Sequence, residues 1–252
     1  MCFISTLFRT IPDCPLLVLS NREEMRSRPA TPPKVISKSG NATRWLGGID
    51  AQADGTWLGV NEFALVVAVT NRPKIEIPPD IRSRGLLCRD LLECHSLDQA
   101  LEDLDKQLQH HRFAGFNLLL LTAKRAIVIE CGDDYEMKPL CPGNHTITNG
   151  TLNDPDDVRI LRAQTELGRW NYFDSNIDDM VRDAKSLCGL TSQKDQAGIC
   201  ITGSDWGTVS STILGLTENR AEAFYRHAPG PPAKTSYDDY SVPLQELLNL
   251  HN

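Results

Sequence analysis

A cysteine directly after the initiator methionine can become both halves of a catalytic pair. In Met1-Cys2-Phe3 the second residue is small enough for the methionine to be removed, which would leave a thiol and a free α-amine on one residue. An α-amine has a reference pKa of about 7.7–8.0, far below that of lysine, so near neutral pH it can take the thiol proton and act as an intramolecular base. By position alone a small buried strand residue is the commoner occupant, so neighbouring groups decide. Asn21-Arg22-Glu23-Glu24 offers such groups. A guanidinium beside the thiol would lower its pKa, and a carboxylate could hold the amine in place. Four polar residues in a row also form a solvated turn with ease.

Other chemistry has little support in the residues. None of the eight cysteines, at 2, 14, 88, 94, 131, 141, 188 and 200, pairs as Cys-x-x-Cys, so zinc-ribbon, thioredoxin and c-type haem patterns are absent. The six histidines show no metal-ligand spacing, and the adjacent Cys94-His95 cannot readily chelate one ion. No metal is expected, no Gly-x-Gly-x-x-Gly or Walker loop calls for a nucleotide, and no cofactor is required.

The chain has 252 residues and a formal charge of −7. Without a block of Lys and Arg to neutralise phosphates, nucleic acid is not an expected partner. No run of about 18 apolar residues exists, so no membrane span is expected. The start of the chain lacks the basic segment and the long apolar stretch of a secretion signal. Buried free thiols and a cytoplasmic location are expected, with association to an organelle such as mitochondrion or Golgi left open; oligomeric state is not legible.

These residues need a scaffold, and the patterning supplies one. Cys2 to Phe8 and Leu16 to Leu19 read as a hairpin turning at Pro12-Asp13-Cys14-Pro15, so Asn21–Glu24 would follow the second strand and lie close to the first. Arg28 to Gly40 reads as a proline-rich loop. Trp57 to Val60 and Phe63 to Thr70 form a second strand pair, apolar enough for both faces to be covered. Helices are expected over Ser83 to Cys94 and from an N-cap at Ser96, where Gln99 completes a capping box. Phe116 to Leu121 and Ala126 to Ile129 pair next, and a short strand leads to Thr148-Asn149-Gly150. Asp154-Pro155 is expected to open a helix running to about Trp170, followed by a second over Asn176 to Cys188. Strands at Ser210 to Leu216 and Ala221 to Tyr225 precede an amphipathic Val242 to Leu250. Strands, two helices, strands, two helices, strands suit two packed sheets with helices outside, as one domain over 1–252.

Several ordered segments are similar to one family. Met1-Cys2, Asn21-Arg22-Glu23-Glu24-Met25-Arg26-Ser27-Arg28-Pro29, Gly55-Thr56-Trp57-Leu58-Gly59-Val60, Thr70-Asn71, Arg82-Ser83-Arg84-Gly85, Gly115-Phe116-Asn117-Leu118, Thr148-Asn149-Gly150-Thr151-Leu152 and Gly207-Thr208-Val209-Ser210-Ser211-Thr212 resemble the transport and Golgi organisation (NRDE) family. Two positions depart from its pattern: Glu23 stands where that family has Asp, and Val209 where it commonly has Arg. More distantly the chain resembles N-terminal-nucleophile cysteine hydrolases. That resemblance implies an α+β fold, an αββα four-layer sandwich. It also implies Cys2 as nucleophile, Arg22 tuning it, Glu23 or Glu24 orienting the amine, and Asn71 and Asn149 at the oxyanion and amine. Asn21, Trp57, Arg84, Ser210 and Ser211 fall in the matching motifs as binding residues.

The resemblance implies two functions. One is a cysteine amidohydrolase acting on a small-molecule amide. The other is a non-catalytic carrier of haem or of a lipid or acyl-CoA, in haem trafficking or Golgi organisation. For haem as cargo the chain offers Cys14-Pro15 and Cys141-Pro142, a dipeptide associated with labile thiolate–haem contacts.

Overall fold

The computed structural model describes residues 2–37, 43–77, 79–171, 176–194 and 196–251. The chain forms two compact units whose sequences interleave: Met1–Ser27 with Cys141–Ser241, and Arg28–Leu140 with Val242–Asn252.

In the first unit the expected hairpin is longer than its apolar core suggests: β1 spans Cys2–Ile11 and β2 spans Cys14–Met25. Asn21–Glu24 is therefore strand, not the turn that its polarity predicts. β2 is paired on both sides, to β1 and to β11 (Trp206–Leu216), and this supplies backbone partners through Met25. β10 (Gly143–Ile147) adds to the free edge of β1, β12 (Phe224–Ala228) to β11, and β13 (Asp238–Asp239) closes a six-stranded sheet.

Two helices pack on one face of this sheet. α4 (Ile177–Cys188) starts at Asn176, whose side chain accepts from the Asp179 N–H. α3 (Val158–Leu167) starts later than Asp154-Pro155 predicts. Asp157 caps it instead, because its carboxylate reaches the N–H groups of Arg159 and Ile160, while Asp154 Oδ1 closes a preceding turn on Asp156 N. Phe3, Leu7, Leu17, Leu19 and Ile213 from the sheet meet Ala163, Leu167, Met180, Val181, Ala184 and Leu187 from the helices. These sheet residues alternate along their strands, which assigns the odd-numbered positions of β1 and β2 to the helix side.

The second unit is an antiparallel meander of seven strands in sequence order: β3 (Lys34–Ile36), β4 (Trp45–Gly47), β5 (Leu58–Asn61), β6 (Val66–Asn71), β7 (Phe116–Leu121), β8 (Ala126–Cys131) and β9 (Tyr135–Pro139). β3, β4 and β9 escape the sequence pattern because they are short or, in β9, largely exposed. β5 and β6 are buried on both faces, as the continuous apolar runs predict, with Asn71 at the end of β6 exposed. α1 (Arg84–Leu91) and α2 (Leu97–His110) cover one face through Leu87, Leu91, Leu97, Ala100 and Leu104. Ser96 caps α2 by accepting from Gln99 N, and Gln99 Oε1 accepts in return from His95 N. α5 (Ser241–Leu248) is followed by a short 3-10 turn, Asn249–His251.

Buried asparagines tie strands to helix ends in both units. Asn61 donates from Nδ2 to the carbonyls of Leu92 and Cys94 and accepts at Oδ1 from Phe63 N and Leu65 N. Asn21 donates to the carbonyls of Cys188 and Ile199. A buried backbone group left without its partner costs about 1–3 kcal/mol. Asn61→Ala strands four such groups, three of them buried, so we expect a loss of about 3–4 kcal/mol in urea-induced unfolding with the slope unchanged.

His227, on β12, is buried beside Thr212, with Nδ1 3.0 Å from Thr212 Oγ1. Burial pulls its pKa from 6.5 down to about 4. Between these values the unfolded chain binds a proton that the folded chain does not. The histidine therefore costs nothing above about pH 6.5 and lowers stability as pH falls towards 4, by about 3 kcal/mol at the limit. Unfolding curves of wild type and His227→Asn compared at pH 7 and pH 4.5 should show a smaller acid-dependent loss in the variant.

Candidate functional site

The chemistry-bearing residues of the first unit gather at one end of its sheet. Cys2 lies directly opposite Arg22 on β2, and Arg22 lies opposite Ser210 on β11, so the three share one face. Asn149 follows β10 by two residues; because Ile147 pairs with Ile4, the turn carries Asn149 beside Cys2. The Cys2 backbone N donates to Asn149 Oδ1 at 3.3 Å. Asn153, in the left-handed region at φ 56°, closes that turn: its N–H donates to Thr146 O and its Oδ1 accepts from Thr146 N, both at 2.8 Å.

The register between β2 and β11 shifts between Thr208 and Ser210, leaving Val209 as the extra residue of a bulge. Ahead of it, Gly207 lies so near the Ile201 carbonyl that a Cβ would come within 2.5 Å. Thr208 reinforces this contact, donating its N–H to Ile201 O and accepting at Oγ1 from Ile201 N, each at 2.9 Å. The bulge places Ser210, not Val209, in line with Arg22 and Cys2. The Ser210 hydroxyl is buried with no hydrogen-bond partner among the described residues.

Asn21, Glu23 and Ser211 stand on the opposite, helix-side face. Ser211 Oγ donates to Ser20 O at 3.1 Å and accepts from the Tyr237 hydroxyl at 2.7 Å. The Glu23 side chain has no exposed surface, and both its oxygens are gripped by the guanidinium of Arg159. Burial pushes the Glu23 carboxyl up, and Arg159 and the charge at the chain start oppose that rise. Arg159 carried no signal in the sequence, since it pairs with a residue 136 positions away. Glu24 is half-buried and accepts from Met25 N.

The Cys2 thiol is pushed up by burial. The positive charge at the chain start, the Glu23 backbone N–H and the Arg22 guanidinium pull it down, and the Glu23 carboxylate adds to the rise. With burial dominant, the thiol needs a base at the moment of attack. The expected removal of Met1 concerns a residue outside those described.

The remaining candidates belong to the second unit. Trp57 precedes β5, is 9% exposed and packs against Gly48, where a Cβ would meet its ring at 2.7 Å. Asn71 ends β6 and is exposed. Arg84 opens α1 and donates to the Gly115 carbonyl at 2.8 Å. The matching motifs Gly55-Thr56 and Arg84-Gly85 meet: Thr56 N donates to Gly85 O at 3.0 Å, and a Cβ on Gly55 would lie 2.4 Å from Gly85 C. A row that the sequence did not single out crosses the same sheet, Thr70, Asn117 and Glu130, all buried. Arg72 donates to Asn117 Oδ1 and pairs with Glu130, which also meets Lys138.

Among the described residues no group of three His, Cys, Asp or Glu could hold a metal ion, and no helix is long and apolar enough to cross a membrane. All eight cysteines are free thiols.

Comparison with solved structures identifies the fold. The structure of penicillin V acylase from Agrobacterium tumefaciens superposes with a TM-score of 0.60 at 12% identity, covering 96% of this chain and 86% of the acylase. A Caenorhabditis elegans orthologue of N-acylethanolamine-hydrolyzing acid amidase gives 0.54 at 14% identity, covering 85% of this chain and 92% of its own. The α+β fold of the N-terminal-nucleophile hydrolases is thus the fold of this chain. Sequence gives a nearer kinship. The mouse transport and Golgi organization 2 homolog is 32% identical over 233 residues, 81% of this chain and 83% of the mouse protein. The cattle homologue is 27% identical over 237 residues, 79% and 81% of the two chains. The family description transport and Golgi organisation 2 matches residues 1–228, nearly the full span over which the ordered motifs run, and the chain belongs to that family.

Proposed function

We propose that the protein is a cysteine amidohydrolase with Cys2 as its N-terminal nucleophile, acting on a non-peptide C–N bond of a small-molecule amide. The observation that carries this reading is the 3.3 Å contact between the Cys2 backbone nitrogen and Asn149 Oδ1. On removal of Met1 that nitrogen becomes the α-amine, already held by an acceptor on the residue that bears the thiol. A general base must lie within hydrogen-bond reach of the proton that it takes, and a base on the nucleophile's own Cα meets that condition.

The steps follow from these groups. The α-amine accepts the thiol proton as sulfur attacks the amide carbonyl, forming a C–S bond and a tetrahedral oxyanion. Collapse breaks the C–N bond; the leaving amine takes the proton from the α-ammonium and a thioester remains on Cys2. Water, deprotonated by the same α-amine, then attacks the thioester, releasing the acid and restoring the thiol. Asn149 orients the amine, and Arg22, paired with Cys2 across the strands, favours the thiolate. In this reading Glu23 holds the charge of the amine from the reverse face, and Glu24 lends it a further carboxylate. Ser210, in line with Arg22 and Cys2, lines the binding region, while Asn21 and Ser211 hold their strands from the helix side. The protein acts in the cytoplasm or in association with an organelle. No cofactor is needed.

A haem carrier draws less support from the thiols. Cys14 donates from Sγ to Leu16 O, is 1% exposed, and is pushed up to about 12 by burial, so it is a poor ligand. Of the two Cys-Pro pairs, only Cys141 is exposed.

Intact mass and site-mapped labelling with limiting iodoacetamide near neutral pH test the proposal. Mature protein should lack Met1, and Cys2 should take the label ahead of the other seven cysteines, because its thiol alone carries on the same residue a base, of pKa about 7.7–8.0, to take the proton that burial holds on sulfur. Retained Met1, or Cys2 labelling no faster than exposed Cys141, would refute the self-activated nucleophile. In an amide screen the wild type should accumulate a thioester adduct that Cys2→Ala cannot form; equal turnover by Cys2→Ala would exclude Cys2 as nucleophile.

A further inference from the structure

We propose that Arg159 is a positioning residue for Cys2, acting through Glu23. It rests on the amidohydrolase reading only in taking Cys2 to be the working residue.

The guanidinium of Arg159 is used from all its nitrogens. Nε donates to Gly198 O at 3.1 Å, Nη1 to Glu23 Oε2 at 3.1 Å, and Nη2 to Ile199 O at 3.1 Å and to Glu23 Oε1. Its Cζ lies 5.8 Å from the centre of the Phe3 ring, one residue along from Cys2. The two-pronged grip on Glu23 sets both the distance and the plane of the carboxylate, which a single ammonium could not do. Glu23 is the residue whose backbone N–H favours the Cys2 thiolate, so fixing its side chain from below fixes that N–H above.

The same helical turn also reaches the second residue that touches Cys2. The Arg159 N–H donates to Asp157 Oδ1 at 2.8 Å, and Asp157 Oδ2 accepts from the Thr148 hydroxyl at 2.6 Å. Thr148 adjoins Asn149, the acceptor of the Cys2 nitrogen. One turn of α3 thus braces Cys2 through its sulfur by way of Glu23 and through its nitrogen by way of Asn149. Arg162, a turn further on, supplies the contrast. It donates from Nη1 to the carbonyls of Thr191 and Ala197, fastening the same segment to α3 without touching Glu23.

The test compares full-length wild type with Arg159→Met, Arg159→Lys and Arg162→Met. Two quantities are read at Cys2 and its neighbour: the iodoacetamide rate at Cys2 and the hydrogen-exchange rate of the Glu23 N–H. Arg159→Met should slow Cys2 labelling at least tenfold and speed Glu23 exchange at least tenfold. Arg159→Lys should recover part of both. Arg162→Met should lower the unfolding midpoint while leaving both rates within about twofold of wild type. Arg159→Met rates equal to wild type, or equal losses in Arg162→Met and Arg159→Met, would overturn the proposal. Failure of wild-type Cys2 to label first would instead sink the nucleophile reading. The Glu23 exchange rates still decide the role of Arg159 in that case, and Arg159→Lys keeps the comparison readable should the methionine variant not fold.

Discussion

A carboxylate with no exposed surface needs a cation, and the geometry around Cys2 depends on how Glu23 finds one. Glu23 lies at the end of β2 on the helix side of the sheet, where water is excluded. Arg159 reaches it from α3, and the same guanidinium also satisfies two carbonyls of the segment after α4. An ion pair in such a place is a weak source of net stability, because desolvation consumes much of its attraction. Its strength lies in exclusivity. Removing either partner strands a buried charge, so few other arrangements of the strand end are accessible. Asn21, two residues earlier on the same face, binds one of the same carbonyls, Ile199 O, and extends the constraint along the strand.

The alternation of a β-strand turns this constraint into a division of labour. Asn21 and Glu23 face the helices and hold position, whereas Arg22, between them, faces the other way in line with Cys2 and Ser210. The bulge at Val209 keeps Ser210 in that line after the tight passage at Gly207. A one-residue slip in β2 would exchange the two sets, placing Arg22 among the apolar residues beneath α3 and α4. The four-residue motif therefore works only as part of a strand paired on both edges.

Much of this was legible from local pattern, and the rest was not for physical reasons. The hairpin, the Ser96 capping box and the start of α4 at Asn176 are decided within a few residues, so spacing revealed them. α3 starts at Asp157 rather than Asp154 because both residues are capable caps, and only the fold decides which carboxylate meets free N–H groups. Asn21–Glu24 looks like a turn because polarity is judged against solvent. Here each side chain on the helix face finds its partner more than a hundred residues away, at Arg159, Cys188 and Ile199. The Thr70, Asn117 and Glu130 row is illegible in sequence for a related cause: a single polar residue inside an apolar strand gains meaning only from the strands beside it. Family likeness carried Cys2 and Asn149 across that gap, and the register then set them side by side.

The interleaving of the two units bears on synthesis. Residues 2–27 leave the ribosome long before β10 and β11, which their sheet needs and which come from the far side of the entire 28–140 segment. The meander of the second unit pairs only neighbours in sequence and can close while the first hairpin still waits with both outer edges unpaired. During that interval Cys2 has no Asn149, which is 147 residues away and emerges much later. The hairpin is sealed into its sheet only when these last partners arrive, so the order in which the surroundings of Cys2 assemble is set by the path of the chain alone.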